Sequence, residues 1–550
     1  MRSASLLLCV PLLTLACGGT EAGTGGAGGT GGSTSSTGGA GTTGGGGEGG
    51  APVTYRVTVE VVGLDGQLEL TLSPGSESLV VTSEGSHSFT AALLDGDAWE
   101  VALASAPGLQ SCSADVSTGT IGGADASLTI TCLDQLAFAA SNVDPGDFEL
   151  WATDGTEAGT RLILDIEPNG SSAPREITAV PGSLVIFTAA TDAEGREPWV
   201  SDGTPEGTRL LADINPGTSG SSPHGFTLHA GTIYFQAQDP TSGNELWATD
   251  GTAAGTKRVA DLYTGPNGSY PEYFTVLGDR LLFIASEPTQ DSLLAIEPNG
   301  TLTTLAPATY DEMRVAAGLA YFSADLDDLG NEPFISDGTA AGTTRLADIA
   351  TGAASSSPVP LAALPTGMLL RATTPTTGDE LYFGDSNGVT FLGDLRAGPI
   401  GSNPYPLATV GGKALLALDD GVVGQELWVS DGTPTGTVLL RDSDPNGASY
   451  FAPLGVHQGL AYLAILTTTT AESVIVATDG TALGTTILVS FSSTAERGVY
   501  PFGELGGKWC FGVIDATSGA EPWCSDGTPE GTTRFLDLCP GTCNSLPVAS

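Results

Sequence analysis

Carboxylates recur along this chain at fixed spacing, and carboxylates can do chemistry. An Asp opens the segment D-G-T-x-x-G-T at Asp154, Asp202, Asp250, Asp337, Asp431, Asp479 and Asp526. A Glu stands at Glu149, Glu197, Glu245, Glu332, Glu380, Glu426 and Glu521, two residues ahead of an aromatic position. Oxygen ligands repeated in this way could hold a ring of hard cations such as Ca²⁺, drawn from the Glu or from residues such as Asp202 and Asp213. No D-x-D-x-D-G loop accompanies them, however. The other reading is a repeated latch, because a carboxylate buried beside a large ring must be hydrogen-bonded. The aromatic position holds Trp151, Trp199, Trp247, Phe334, Tyr382, Trp428 and Trp523, with Val476 in one unit. A ring at the same place in every unit points to packing between units, with sugar stacking as the sharper alternative. Catalytic constellations are scarce. The four His (His87, His224, His229, His457) are scattered, H-E-x-x-H does not occur, and the one G-x-S-x-G match, Gly384-Asp385-Ser386-Asn387-Gly388, falls on the degenerate turn of a repeat unit rather than on a strand-to-helix elbow. An enzyme would need a cluster of non-repeating carboxylates or Tyr, for example near Tyr310, Asp311 and Glu312.

Regular spacing requires regular elements to hold it. Two degenerate copies, at Asn299 and Asp385, complete a series of nine units with a period of about 47 residues, in the range of four-stranded propeller blades. One unit reads as strands at 226–228, 232–237, 245–249 and 257–262. In the hairpin between third and fourth strands, Asp202 folds onto nearby N–H groups as an Asx turn. Pro205 suits a type I turn, and Gly207 is the expected left-handed residue of a G1 bulge. The expected fold is all-β: a β-propeller of about eight to nine four-stranded blades over 133–550, preceded by a small β-sandwich over 53–132. The hairpin resembles the Asp-box hairpin of sialidase-type propellers, whose role is structural. The array as a whole resembles the ELWxxDGT-repeat family of bacterial extracytoplasmic proteins, a likeness that implies location and architecture but no defined reaction.

Alternation at 55–61, 68–72 and 86–90 carries the sandwich. Its close resembles small Ig-like modules of bacterial surface proteins, which implies a Cys112 to Cys132 disulfide. Cys510 and Cys524 fall on adjacent strands of the last unit and are expected to bridge, while Cys539 and Cys543 would close a small loop. Residues 1–16 have the layout of a signal peptide, with Arg2 before an apolar run too short to span a bilayer. The segment Leu13-Thr14-Leu15-Ala16-Cys17 resembles a bacterial lipobox, which implies lipidation of Cys17, and Gly18 after it implies outer-membrane sorting, facing the periplasm or the cell surface. Residues 17–52 are a Gly, Thr and Ser tether, with a reach on the order of 30 Å. With 63 acidic residues against 18 Lys plus Arg, the net charge is -45, which repels nucleic acid. Together these features lead to the expectation of a non-catalytic lipoprotein, held to the membrane by its lipid and binding an unknown protein or carbohydrate, with Ca²⁺ a possible cofactor. An extracytoplasmic carbohydrate-active hydrolase or lyase and a Ca²⁺-dependent adhesion module are the alternatives.

Overall fold

The computed structural model describes residues 52–141, 147–156, 158–307, 312–325, 330–470, 472–492, 500–515 and 519–534. The signal segment, Cys17, most of the tether, Tyr310, Asp311, Cys539 and Cys543 lie outside the described residues. Among the described residues every regular element is a β-strand.

Alternating sequence becomes alternating burial in the first unit. Strand Val57–Val62 buries Val57, Val59 and Val61, and strand Leu68–Ser73 buries Leu68, Leu70 and Leu72. These strands belong to two different four-stranded sheets that share one core with Phe89, Trp99, Ile121 and Ile130. Cys112 and Cys132 stand opposite each other on paired strands and are bonded. Two boundaries differ from expectation. Strand Ala126–Asp134 runs past Cys132, because Asp134 still pairs with Gln110 and accepts a 2.7 Å bond from its amide. The first strand breaks at Arg56, whose N–H donates to Asp125 rather than into the sheet.

The remainder is a succession of antiparallel meanders. A three-stranded sheet (Leu136–Ala140, Glu149–Thr153, Arg161–Leu164) is followed by eight four-stranded sheets, from Arg175–Val180 to Thr533–Arg534. The first strand of each four-stranded sheet packs on the first strand of the next. Leu136–Ala140 touches both Arg175–Val180 and Tyr500–Leu505, with the rings of Phe138 and Phe502 5.8 Å apart. The succession therefore closes on itself as a β-propeller, its first strands innermost. Apolar residues of adjacent blades fill the gaps between them; Ile186 and Val200 of one meet Phe226, Ile233 and Phe235 of the next. The fourth strand is shorter than the sequence suggests, Lys257–Arg258 rather than 257–262. Past it, Leu262 turns its N–H onto Glu245.

The first unit is docked on this ring. Leu109 is buried with Leu150, Ile163 and Phe187, and the Arg161 guanidinium donates to the carbonyl of Gly108 in the first unit and to that of Gly203 in the second blade. Gly108 lies so close to the second blade that a Cβ there would sit 2.1 Å from the Asp202 carbonyl oxygen.

Candidate functional site at the innermost strands

The repeated Asp residues are consumed by their own hairpins. Asp202 Oδ1 accepts from the N–H of Thr204 at 2.9 Å and from its hydroxyl at 2.6 Å. Thr204 Oγ1 accepts from the N–H of Gly207, and Thr208 Oγ1 donates to the carbonyl of Thr204. The same circuit recurs at Asp154, Asp250, Asp337, Asp431, Asp479 and Asp526. At Asp250, Asp337, Asp431, Asp479 and Asp526 the Thr hydroxyl and then the Thr N–H hold the carboxyl below its ordinary value. One expectation is corrected here. The left-handed residue is the first glycine, Gly203, with φ 85°, not Gly207. Gly207 is required for space, since a Cβ on it would lie 2.0 Å from the Asp202 carboxylate.

The repeated Glu residues are latches between blades. Glu245 is fully buried and accepts from the N–H groups of Leu262 and Tyr263 and from the hydroxyl of Ser269. Ser269 leads into the next blade's innermost strand. Glu149 with Ser172, Glu197 with Ser221, Glu332 with Ser356, Glu380 with Ser402 and Glu426 with Ser449 repeat this tie. Burial pushes the carboxyls of Glu149, Glu197, Glu245, Glu380 and Glu426 above their ordinary value, the hydrogen bonds recovering only part of it. In all six latches both carboxylate oxygens, or the one that points to Ser, already meet protein donors, so the ring of Glu-bound cations loses its ligands. Among the described residues no three His, Cys, Asp or Glu side chains gather as a metal site.

The aromatic position packs between blades. Trp199 lies against Leu150, Ile163 and Phe187, and Trp247 against Phe226 and Phe235. Trp151, Phe334, Tyr382 and Trp428 are buried, and Trp523 packs with Tyr462 and Phe511. The indole N–H groups of Trp199, Trp247, Trp428 and Trp523 have no acceptor among the described residues, so the position serves ring area and leaves no face for a sugar.

Chemistry must then come from residues that break the repeat. Five of the latch Ser open a second motif, Ser-x-Pro, in Ser172-Ala173-Pro174, Ser221-Ser222-Pro223, Ser269-Tyr270-Pro271, Ser356-Ser357-Pro358 and Ser402-Asn403-Pro404. The middle residue is left-handed every time, with φ from 42° to 48°. This fixes how the chain enters each innermost strand while leaving the next two side chains free to vary. Those two are Arg175 and Glu176, His224 and Gly225, then Glu272 and Tyr273 in successive blades. In later blades they are Val359 and Pro360, then Tyr405 and Pro406. One arc of the rim is therefore ionic and the other apolar.

The ionic arc is a connected group. The Gly225 N–H donates to Glu176 at 3.2 Å, and His224 Nε2 lies 3.9 Å from Glu272, both side chains being roughly two-fifths exposed (42% and 37%). Burial lowers the His224 pKa, but hydrogen bonds to Glu272 and Ser222 and the charges of Glu272 and Glu176 outweigh it. The imidazole is held above its ordinary value. One blade further on, Glu312 meets Arg314 at 3.1 Å at the entry to strand Arg314–Ala316. Of the cluster expected near 310–312, Glu312 is thus at the rim, while Tyr310 and Asp311 lie outside the described residues. Glu176, His224 and Glu272 were not singled out from sequence. The signal that would have found them is the Ser-x-Pro recurrence at a near-constant interval after five of the six latch Glu.

No protein-family model and no curated protein matches this chain. Among solved structures it is similar to a prolyl endopeptidase, at 9% identity and TM-score 0.38, over 57% of this chain and 49% of that one. It is also similar to the β-propeller domain of the Trilobed protease from Pyrococcus furiosus, at 9% identity and TM-score 0.32, over 58% of this chain and 96% of that one. A puromycin hydrolase matches at 13% identity and TM-score 0.37, over 68% of this chain and 54% of that one. The chain spans about half the length of the prolyl endopeptidase and of the puromycin hydrolase. These are peptidases and a hydrolase rather than binding modules. The expectation of a non-catalytic binding or scaffold lipoprotein is therefore not retained, and at this identity the likenesses show the β-propeller fold alone.

Proposed function

We propose that this chain is an exported hydrolase whose substrate engages the rim of the innermost strands. The observation that carries the reading is the alignment of Glu176, His224 and Glu272 on three successive blades, with His224 3.9 Å from Glu272. None of the three belongs to the repeat. His224, protonated more readily than a free histidine, would give a proton to a leaving group, and a carboxylate beside it would take one from water. Across the rim, Tyr405 is half exposed and is followed by Pro406, a flat apolar surface suited to an extended polymer. A carbohydrate polymer is the class for which carboxyl groups flanking the scissile bond suffice.

The test is to incubate the mature chain with panels of extracellular polysaccharides and of peptides, and to measure new reducing ends and new amines. Reducing ends are expected to appear, and Glu272→Gln to slow their release by about 100-fold or more. Glu206→Gln, on an exposed hairpin, is the control and should leave the rate unchanged. Absence of turnover on every substrate, or equal rates for Glu272→Gln and the unaltered chain, would overturn the reading.

The same proposal places the chain in the ELWxxDGT-repeat family, anchored to the outer membrane through a lipid on Cys17, the first unit acting as a spacer. The lipobox-like segment and the tether that follows it support this placement. On detergent-phase partitioning the expressed protein should enter the detergent phase, and Cys17→Ser should move it to the aqueous phase. A Cys17→Ser protein that stays with the detergent contradicts the anchor.

A further inference from the structure

The middle position of Ser-x-Pro is left-handed in all five copies, and four of them hold a small or amide side chain: Ala173, Ser222, Ser357 and Asn403. The fifth holds Tyr270, with φ 48°. A left-handed backbone is uncommon outside glycine, is tolerated best by Asn and Asp, and is an outlier for a bulky ring. Strain of this kind persists where the surrounding structure or a function requires it. Two other large residues of the same rim are left-handed, and each has a structural reason. Glu176, with φ 54°, accepts the Gly225 N–H, and Tyr273, with φ 59°, packs its ring against the core between its blade and the next. Tyr270 gains no such burial, since 45% of it stays exposed. Its part in the fold is played by its backbone: the N–H groups of Ser269 and Tyr270 both donate to the Asn244 carbonyl, as those of Ser356 and Ser357 do to the Asn331 carbonyl. A serine does the same work at Ser357, so the scaffold has no need of the ring.

We infer that Tyr270 is a stacking platform for a sugar ring of a neutral polysaccharide, fixing where the polymer lies beside Glu272. The inference rests on the reading of the ionic arc as a substrate site and adds the residue that holds the substrate there. Position carries it. Buried Pro271 separates Tyr270 from Glu272, so the Cα atoms of the two are no more than about 7 Å apart. The root of the platform is fixed on both sides, by the latch at Ser269 and by the locked φ of Pro271. Glu272 and His224 are themselves partly exposed at the same mouth, so a polymer resting on Tyr270 reaches both. An exposed phenol presents a flat apolar face with a polar edge, and a sugar ring presents the matching surface, C–H groups on its face and hydroxyls at its rim. Charge selects among polymers: a formal net charge of -45 repels polyanions, which leaves neutral glycans.

The test is affinity electrophoresis of the full chain in native gels containing xylan, soluble starch or hydroxyethylcellulose, with gelatin and polygalacturonate gels alongside. At least one neutral glycan is expected to retard the chain. Tyr270→Asn installs the side chain that the same position accepts at Asn403. It should weaken the retardation about tenfold, with a thermal midpoint no lower than that of the unaltered chain. Tyr270→Phe keeps the ring and should bind as the unaltered chain does. Retardation by gelatin or polygalacturonate alone would point to a peptide or a polyanion and overturn the inference. So would no retardation in any gel, retardation that Tyr270→Asn leaves unchanged, or a midpoint that falls in Tyr270→Asn, which would make the ring a structural element. Binding and turnover are read separately. Retardation that needs Tyr270 in a chain that releases no reducing ends upholds the platform and sinks the hydrolase reading. Release of reducing ends at an unchanged rate in Tyr270→Asn, with no retardation, does the reverse.

Discussion

Glu245→Ala is expected to lower the unfolding free energy by about 3 kcal/mol or more, read from the midpoint of urea unfolding. The change leaves the N–H groups of Leu262 and Tyr263 and the hydroxyl of Ser269 without their acceptor. Each buried polar group left unsatisfied costs roughly 1–3 kcal/mol. It also opens a cavity between two blades, with a further penalty of the kind seen for large-to-small substitutions. Glu245→Gln should cost less, because the amide keeps the volume and one acceptor and carries no charge to desolvate. Glu206→Ala, exposed on the neighbouring hairpin, should change stability by less than about 0.5 kcal/mol. If Glu245→Ala unfolds at the same urea concentration as Glu206→Ala, the carboxylate is not a latch.

The second large effect is on the pH dependence of stability, which should peak in mild acid and fall toward neutrality. Burial raises the folded-state pKa of Glu149, Glu197, Glu245, Glu380 and Glu426 above the ordinary 4.5. A raised group contributes stability that is fully present below the unfolded value and is lost as pH rises through the folded value. The hairpin Asp250, Asp337, Asp431, Asp479 and Asp526 are shifted the other way, below the ordinary 3.8. Their contribution is present above 3.8 and is lost as pH falls through the lower folded values. Both sets act together between 3.8 and 4.5, so the thermal midpoint should be highest there. A formal net charge of -45 at pH 7 adds self-repulsion in the same direction on the alkaline side. Melting curves recorded from pH 3 to 8 check this, and a midpoint that is flat or climbs from pH 5 to 7 contradicts it. Glu245→Gln supplies the link to the first prediction, since removing one raised group should make the decline shallower.

Position in sequence and position in space agree wherever a residue's partners are local. The Asp202 hairpin lies within seven residues, so its Asx turn, its Thr hydroxyls and its glycines follow from steric and hydrogen-bond rules that act over that range. Even so, the two glycines exchange roles. Both are compatible with a tight turn, and only the placement of the Asp202 carboxylate shows that a side chain is excluded by volume at the second and by backbone angle at the first. The six latches were legible as buried carboxylates needing donors. Their partner Ser, about half a repeat further on, was not, because an isolated Ser carries no periodic hydrophobic signal.

The rim was the least legible part. Arg175, Glu176, His224 and Glu272 vary from blade to blade, so repetition hides them, and even Glu176 and His224, on neighbouring blades, are a whole unit apart in sequence. What the sequence alone determined was the repeating scaffold: strand periodicity, hairpin chemistry and the rings between blades, all set by contacts within one unit or between adjacent units. Only the tertiary structure decided which non-repeating side chains meet. Curving the array into a ring brings the starts of successive innermost strands together, and that proximity depends on the inter-blade packing angle, a property of the assembled core that no single segment encodes.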